Sequence, residues 1–362
     1  MLKYEDMASK EHESARIEQR ITPPDVLAHR NELVRSLDDR AGELADKYLL
    51  PEEKLWFPDK FIPPSLEGKI DLRDREGVRV PRLLAVVLVG NGITEDGLSM
   101  FETMLNRAEG MADDTGADDT GHAKWSRGWT AEELRHGRVI RSYLECVPTV
   151  NLAAVDRIQH KYIAGGFDPG IRRDPYRLVV YPSMQEPATE TPHKRTGHTA
   201  HDHELLVLAK TSIQVGSDEG RHGNYYADMG REIIALDPEG FIDEYHYIAH
   251  ERMMVMPGAN MDGFDVFMNA AIAMDMYGPA DYVKIAADLN KRWDLEHLSL
   301  SGAADEKREI LLRKYTHSRA ERLREKQTGR KKAAESLLGA RIPWLMDPVI
   351  TQADLAEVGL AA

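Results

Sequence analysis

The sequence is poor in cysteine, since Cys146 is the single one among 362 residues. One cysteine excludes an internal disulfide and any cage of cysteine ligands around a metal. A metal bound by this chain must therefore be held by carboxylates and histidines. Such ligands suit iron or manganese better than copper(I) or an iron–sulfur cluster.

Long apolar runs are also missing. No stretch of about 18 consecutive apolar residues occurs, so we expect no membrane span. The first twenty residues are charged and lack the apolar stretch of a signal peptide, and they are too acidic for a typical organelle transit sequence. The sequence therefore predicts a cytoplasmic protein.

Positive charge is in short supply, because 61 acidic residues outnumber 47 lysines and arginines and give a net charge of −14. A nucleic-acid partner requires a basic surface, so the composition argues against one. The exception is the segment 307–332, where three glutamates interrupt eleven lysines and arginines. This segment is either a solvated helix of mixed charge or a docking strip for an acidic partner.

Helical periodicity dominates the chain and alternating strand patterns are scarce, which predicts an all-α protein. We expect a loose N-terminal tail over 1–20, a single domain over 21–345 and a C-terminal tail over 346–362. The repeat ADDTGADDTG is rich in Asp and Gly and predicts a solvent loop. The predicted helices cover 26–47, a stretch that ends near 109, 125–146, 150–164, a stretch after 172, and 202–234, with further helices up to 338.

Three local signals lie before that loop. The proline-rich stretch LPEEKLWFPDKFIPP predicts an extended strap across the core, pinned by burial of Trp56, Phe57 and Phe61. The apolar run 83–89 fits either a buried strand or the start of a helix. The acidic residues in the segment 94–96 predict the start of a helix there.

Two hexapeptides share one pattern, namely an acid, Glu, any residue, Arg, His and Gly. They are EELRHG at 132–137 and DEGRHG at 218–223. Positions i and i+3 lie on the same face of a helix, so each motif can offer one Glu and one His to one metal. Chance alone would give about one Glu-x-x-His pair in such a sequence. A third pair, Glu190 to His193, contains a proline and lacks the flanking residues, so we attribute it to chance.

The two motifs supply four candidate metal ligands: Glu133, His136, Glu219 and His222. In ferritin-like di-iron proteins, two helices each give a Glu-x-x-His and two others each give a lone Glu, all pointing inward. Glu95 precedes the first motif and Glu186 precedes the second, so one set falls on each of four helices. Six ligands for two ions leave open positions for O2, which indicates chemistry rather than storage.

The chain resembles a known family, the soluble acyl-carrier-protein desaturases of the stearoyl type. The resemblance runs from about residue 23 to residue 300, with a weaker echo at 342–344. The matching stretches are LPEEKLWFPDKFIP, LVGNGITEDGL, ETMLN, WTAEELRHG and DEGRHG. The resemblance implies an all-α, ferritin-like helical bundle with a four-helix di-iron core, extra flanking helices and two iron ions per chain.

The resemblance also implies which ligand binds which ion, with Glu133 and Glu219 bridging the two. It implies these two sets: Glu95, Glu133 and His136 on one iron, and Glu186, Glu219 and His222 on the other.

Further residues would support the ligands. A ligating histidine usually donates its other N–H to a carboxylate, and Glu132 and Asp218 each directly precede a ligand. The resemblance implies that Trp129 and Trp56 lie near a route for incoming electrons, although both could instead serve core packing. It also implies that Thr189 lies beside the O2 position. The candidate catalytic residues are Thr189, Asp218 and Trp129.

The segment around Glu186 departs from the family pattern. Pro182, Pro187 and Pro192 recur every five residues, and an interior proline destabilises a helix by about 3 kcal/mol. Either the helix is kinked and Glu186 still reaches iron, or this ligand is displaced. The histidines within 193–203 predict a histidine-rich loop, which could supply a substitute ligand.

A second departure is Arg107, on the helix that carries Glu95. The family tends to have smaller or apolar residues here, where the helix lines the substrate tunnel. A long cation would either shorten the tunnel or point outward. The segment 250–257, HERMMVMP, is also less basic than expected of a surface that docks a carrier protein.

The resemblance implies an O2-dependent desaturase that introduces a cis double bond into an acyl chain bound to acyl-carrier protein. A ferredoxin would supply electrons, and the chain would form a homodimer. One rival is another di-iron oxygenase, such as a hydroxylase or N-oxygenase, with the same fold and ligands. Another is a non-catalytic protein with a degenerate site that binds iron or acyl carriers.

Overall fold

The computed structural model describes residues 20–62 and 79–360, and over these ranges it holds no strand, only two isolated bridges. The all-α prediction is therefore confirmed. The helices are α1 (Pro24–Ser36), α2 (Asp38–Tyr48), α3 (Arg82–Glu95), α4 (Leu98–Leu105), α5 (Gly121–Leu144), α6 (Leu152–Gly165), α7 (Pro175–Asp202), α8 (Leu206–Leu236), α9 (Pro238–His246), α10 (Phe264–Ala273), α11 (Pro279–Arg292), α12 (Gly302–Lys314), α13 (His317–Glu325), α14 (Arg330–Leu337) and α15 (Gln352–Glu357). A π-helical turn, Tyr247–Glu251, follows α9.

Four helices, α3, α5, α7 and α8, surround the centre of the protein. Helix α3 contacts α5 and α7, and α8 contacts the same two helices, so the four close into a ring. The flanking helices cover this ring from outside, with α1 against α7 and α8, α2 against α5 and α8, and α10 against α3. Side chains that point into the ring are thereby removed from water.

Helix α3 is apolar on every face because it lies inside the protein. Its residues from Leu83 to Ile93 are all buried, which explains why the run 83–89 shows no polar stripe. That run is a helix and not a strand. The segment Arg82–Leu105 has the length and apolar composition to cross a membrane, but 67% of its apolar window is buried inside the protein.

The predicted helix start at 94–96 is wrong, because Glu95 ends α3. The N–H of Asp96 bonds to the carbonyl of Gly92, and α4 begins at Leu98. An acidic residue is unfavourable at this end of a helix dipole. Glu95 is nevertheless held inside the protein, with its side chain 5% exposed.

The N-terminal region differs from the prediction in two details. The single helix expected over 26–47 is divided into α1 and α2 at Leu37. In the strap, Trp56 is buried, and Phe61 packs edge-on against it with ring centroids 5.5 Å apart. Phe57 is 56% exposed, so the prediction that it pins the strap is wrong. One indole anchors this segment to the core.

Helix α7 runs unbroken through all three of its interior prolines. The histidine-rich loop predicted for 193–203 is therefore wrong, because most of that stretch belongs to the helix. Two side-chain hydroxyls bond to backbone carbonyls one turn earlier, since Ser183 donates to Val179 and Thr191 donates to Pro187. The neighbouring helix leaves room for the proline ring, because a Cβ on Gly223 would lie 3.1 Å from Pro187 Cδ.

The residues beyond 345 fold back onto the bundle. Arg82 Nη1 lies 2.9 Å from Asp354 Oδ2, and Leu355 is buried. The predicted divisions at residues 20 and 345 stay predictions, and the tail over 1–19 lies outside the described residues.

The basic segment 307–332 spans α12, α13 and the start of α14. Part of its positive charge is neutralised by ion pairs within the chain, because Lys307 pairs with Asp243 and Arg324 pairs with Asp281. This favours the interpretation as a helical surface of mixed charge over a free docking strip.

Candidate metal centre

The six predicted metal ligands meet at the centre of the helix ring. They form two groups whose candidate ligand atoms lie within 4.8 Å of one another. The first group is Glu95, Glu133, His136 and Glu219, and the second is Glu133, Glu186, Glu219 and His222. Glu133 and Glu219 belong to both groups, so they lie between two possible ion positions. Glu186 is in place despite Pro187, and no substitute from 193–203 takes part.

The two histidines turn the same ring nitrogen toward the centre. Nδ1 of His136 lies 3.1 Å from Glu219 Oε1 and 3.2 Å from Glu133 Oε2. Nδ1 of His222 lies 2.7 Å from Glu133 Oε1. The imidazole centroids are 6.0 Å apart, and neither side chain is exposed. The arrangement is a nearly symmetric pair of nitrogen donors flanking shared carboxylates.

The outer nitrogens of these histidines are held by acids from the opposite helix. His136 Nε2 lies 3.3 Å from Asp218 Oδ2, and His222 Nε2 lies 2.9 Å from Glu132 Oε2. The first acid of each motif thus supports the histidine of the other motif. Such a contact fixes the tautomer and the ring orientation of a ligating histidine.

Two of the glutamates accept hydrogen bonds from side chains on other helices of the ring. The Trp129 indole donates to Glu186 Oε1 over 3.2 Å, and the Thr189 hydroxyl donates to Glu219 Oε2 over 2.6 Å. In the strap, the Trp56 indole donates to Asp218 Oδ2 over 2.8 Å. Each residue named as a catalytic candidate therefore contacts a ligand or the support of one, and their roles stay predictions.

His193 is the buried residue at this site that the sequence analysis misjudged. Its Nε2 lies 2.7 Å from Glu95 Oε1, and its side chain is 3% exposed. Glu95 sits on the last turn of α3, so this contact from α7 fixes its carboxylate. A spacing signal was available, because Glu186, Thr189 and His193 follow an i, i+3, i+7 pattern on one helix face.

Replacing His193 with phenylalanine is expected to weaken metal binding at the Glu95 side by about 10–100-fold, the usual cost of losing a partner that orients a ligand. His193→Gln should recover much of the affinity, because its amide can still donate to Glu95. His198, exposed on the same helix, provides the control variant His198→Gln. Iron per chain under limiting Fe(II) is the measurement, and unchanged iron content in His193→Phe would refute the positioning role.

The inward-facing atoms of the cluster fit a metal. Five of them each lie within 4 Å of at least one other but form no hydrogen bond of normal geometry with any described residue: Glu133 Oε1, Glu186 Oε2, Glu219 Oε1, His136 Nδ1 and His222 Nδ1. Buried polar atoms are nearly always satisfied, so a convergent set of unsatisfied ones points to an ion. Carboxylate oxygens and imidazole nitrogens together suit iron or manganese. This buried cluster could therefore hold a metal.

Crowding also shifts the proton affinities of the cluster. Burial raises the pKa of Glu186 well above its ordinary value, and the carboxylates of Glu219 and Glu133 raise it further. Burial and the neighbouring carboxylates also raise the pKa of Glu219. Burial alone would lower the pKa of His136, but Glu133 and the other acids around it raise that pKa overall. The buried carboxylates thus repel one another, and a divalent cation between them would relieve this repulsion.

The pKa of Glu132 is shifted in the opposite direction, below its ordinary value. Burial alone would raise its pKa, but the hydrogen bond from His222 and the charge of Arg221 lower the pKa to about 2. It therefore stays ionised at neutral pH and supplies a fixed negative charge behind the His222 ring.

A small cavity of about 30 Å³ lies against the cluster. Its lining combines Leu98, Phe101 and Pro257 with four candidate ligands, Glu95, Glu133, Glu186 and Glu219. Apolar side chains and carboxylates thus line the same cavity.

The fold and this site define a helical bundle built around a carboxylate–histidine metal centre. A family model described as fatty acid desaturase matches residues 29–345. The chain belongs to the fatty acid desaturase family.

Named relatives agree with this assignment. The chain is 33% identical over 325 residues to a seed-specific, chloroplastic stearoyl-[acyl-carrier-protein] 9-desaturase of Brassica napus, and the match covers 84% of this chain and 81% of the relative. It is 32% identical over 326 residues to the chloroplastic stearoyl-[acyl-carrier-protein] 9-desaturase of Ricinus communis, covering 87% and 81% respectively.

Among solved structures, the chain is similar to a putative acyl-ACP desaturase of Mycobacterium tuberculosis. The TM-score is 0.50 at 15% sequence identity, and the match covers 76% of this chain and 99% of that one. At this identity the likeness concerns the fold alone. With the buried ligand cluster at the centre of the bundle, it confirms the predicted ferritin-like architecture.

Proposed function

We propose that this protein desaturates an acyl chain carried by acyl-carrier protein, with two iron ions at the centre of the bundle. The observation that carries the proposal is the pair of ligand groups sharing Glu133 and Glu219. Relatives at about one-third identity are named as desaturases of stearoyl-[acyl-carrier-protein], and they match most of this chain. We extend both the substrate class and the reaction to this protein on that basis.

The reaction removes one hydrogen atom from each of two adjacent methylenes and leaves a cis double bond. These two hydrogens, with two electrons and two protons, reduce O2 to two molecules of water. Bound iron would supply the O2 chemistry, and the protein positions one C–C bond and excludes bulk water. Leu98, Phe101 and Pro257 form the apolar face that would hold the chain against the cluster.

The Thr189 hydroxyl and the Trp129 indole are proposed to hold two carboxylates in productive orientations. Thr189 donates to Glu219, which lies between the two ion positions, and Trp129 donates to Glu186. Since a ligand displaced by about 1 Å can cost 100-fold in rate, such contacts matter to catalysis.

We propose that electrons enter through the strap. The Trp56 indole bonds to Asp218, and Asp218 bonds to the outer nitrogen of His136, which gives a continuous hydrogen-bonded chain toward the cluster. The Arg135 guanidinium lies over the Trp56 ring at 5.2 Å, which is within cation–π range. A ferredoxin-type protein is the proposed donor.

The proposal also covers the oligomeric state and the cellular location of the protein. We propose a cytoplasmic homodimer built from one domain over 21–345. Light scattering tests the assembly, because a dimer supports the proposal and a large shell would instead indicate iron storage.

The function is tested first by iron content and then by product. Protein from iron-replete cells should hold about two irons per chain, as the two ligand groups require. With acyl-carrier substrates, reduced ferredoxin and O2, mass spectrometry should find a product lighter by two hydrogens. A product carrying added oxygen would establish the hydroxylase alternative. Iron near one per chain, or no product, would contradict the desaturase proposal.

A further inference from the structure

A group of three aromatic side chains, Trp125, Tyr225 and Tyr226, lies next to the candidate ligand His222. Trp125 packs edge-on against the His222 imidazole, with ring centroids 6.0 Å apart. The same indole is stacked on the Tyr225 ring, with centroids 3.5 Å apart and an angle of 4° between the planes. The Tyr226 ring meets the indole edge-on at 5.6 Å. Trp125 therefore links the metal centre to two phenol rings.

The helices that carry the ligands also position this aromatic group. On α5, Trp125 lies two turns before Glu133, and on α8, Tyr225 lies one turn after His222. Such spacings keep side chains on one face of a helix, so the rings point inward as the ligands do. All three aromatic side chains are buried. Bulk water is thus kept away from the stacked pair.

The polar atoms of the aromatic group are not hydrogen-bonded in the usual way. Trp125 Nε1 and the hydroxyls of Tyr225 and Tyr226 are buried, and none forms a hydrogen bond of normal geometry with a described residue. Buried tyrosine and tryptophan usually have such a partner. Burial raises the pKa of Tyr225, and the charge of Asp38 raises it further. Burial also raises the pKa of Tyr226 well above its ordinary value. Both phenols therefore keep their protons.

These surroundings favour the loss of an electron from the indole and not from a phenol. A phenol that loses an electron must also release its proton, and no described residue accepts a proton from either hydroxyl. An indole can lose one electron and keep its N–H as a radical cation. The face of the Tyr225 ring attracts a cation, and the nearby Asp38 carboxylate stabilises positive charge on the stacked pair.

We propose that Trp125 is a one-electron donor to the metal centre, used when O2 reacts there without an acyl substrate. This inference rests on the proposed function for the iron and the O2 chemistry. It adds a second activity, the disposal of activated oxygen before it damages the ligands. The route for the electron is the contact between the Trp125 indole and the His222 ring.

The electrons of this second activity can be counted. Reduction of O2 to two molecules of water takes four electrons and four protons. Two of the electrons come from the iron pair, and during desaturation the other two come from the substrate methylenes. Without substrate, Trp125 gives one of these and the ferredoxin-type donor gives the other, while solvent provides the protons. A further electron from the same donor restores Trp125.

The test is a spectroscopic measurement without substrate. Iron-loaded protein is reduced anaerobically, mixed with O2 and one equivalent of reduced ferredoxin, and frozen rapidly for electron paramagnetic resonance. An organic radical should form. Ring-deuterated tryptophan in the protein should narrow its signal, whereas ring-deuterated tyrosine should leave the width unchanged. Saturating acyl-carrier substrate should suppress the signal, because the methylenes then supply the electrons.

Three variants make the assignment specific. Trp125→Phe should lose the radical and keep its iron, since phenylalanine packs in the same place and is much harder to oxidise. Tyr225→Leu keeps the indole without its stacked ring, and the radical yield should fall about tenfold with the loss of a buried cation–aromatic contact. The matched control is Trp293→Phe, because Trp293 is a buried indole that packs against Phe241 and Tyr245. It should keep the signal.

Several results would overturn the proposal. One is a sample that holds two irons and consumes O2 without forming a radical. Others are a tyrosine radical, a signal that persists in Trp125→Phe, and a signal that substrate does not suppress. If Trp125→Phe loses its iron, the isotope labels and Tyr225→Leu still decide. Desaturation without the radical would refute this inference alone, whereas the radical without desaturation would refute the proposed activity alone.

Discussion

Replacing Glu219 with alanine should empty both ion positions and reduce desaturation by at least about 100-fold, beyond the usual cost of losing a residue that only supports a ligand. Glu219 belongs to both ligand groups, so its loss leaves each group with three candidate ligands. The same change removes a negative charge from between two cations, and their mutual repulsion then opposes binding. Iron per chain by elemental analysis and product formation by mass spectrometry are the measurements.

A comparison with Glu186→Ala makes this result specific. Glu186 belongs to one group only, so its loss should leave about one iron per chain where Glu219→Ala leaves none. Glu190→Ala is the control, because Glu190 lies on α7 outside both groups and pairs with Lys194. It should keep both irons. Two irons and normal turnover in Glu219→Ala would show that this carboxylate is not a ligand.

The convergence of the candidate ligands could be predicted from sequence because helical geometry links them. Glu133 and His136 are three residues apart, as are Glu219 and His222, and any helix places such pairs on one face. The order of the lone glutamates then assigned one ligand set to each helix. This spacing argument does not depend on how the helices pack. It therefore holds even where the predicted ends of other helices are wrong.

The wrong predictions of helix ends have a different physical origin. The segment 94–96 looks like a helix start because local capping rules place acids at the N-terminal turn. The structure places Glu95 at the opposite end, where the dipole disfavours it and contact with His193 holds it. Tertiary contacts decided this helix end, and a local rule cannot detect them.

The prolines of α7 also show that local sequence rules miss tertiary contacts. Their spacing predicts a broken helix, since each interior proline removes a backbone hydrogen bond. In the structure, α8 lies along α7, and Gly223 provides space at Pro187. Packing against α8 accompanies the continuation of α7 through His193, and the sequence around Pro192 gives no sign of that packing.

A second large effect is expected from Glu244→Gln, which should lower the free energy of unfolding by about 3–5 kcal/mol. Glu244 is buried, and its carboxylate lies 2.6 Å from Arg177 Nε and 2.7 Å from Arg30 Nη1. Arg177 has no exposed surface and Arg30 is buried. The variant therefore leaves a buried guanidinium short of a counter-charge, which costs far more than the loss of a surface pair.

The matched control is Asp156→Asn, which breaks the exposed pair between Asp156 and Arg141. Such surface pairs contribute at most about 1 kcal/mol, so this variant should unfold almost as the wild type does. The measurement is chemical denaturation of iron-free wild type, Glu244→Gln and Asp156→Asn, monitored by circular dichroism. Equal stability of Glu244→Gln and wild type would show that the buried network adds nothing to the fold.

The pH dependence gives an independent check of the same network. Burial alone would raise the pKa of Glu244, but Arg177, Arg30 and Arg20 lower it below the ordinary value of 4.5. A lowered pKa in the folded state stabilises the protein above the unfolded pKa, and this stabilisation is lost as pH falls. The difference between wild type and Glu244→Gln should therefore be full above about pH 5 and shrink in more acidic solution.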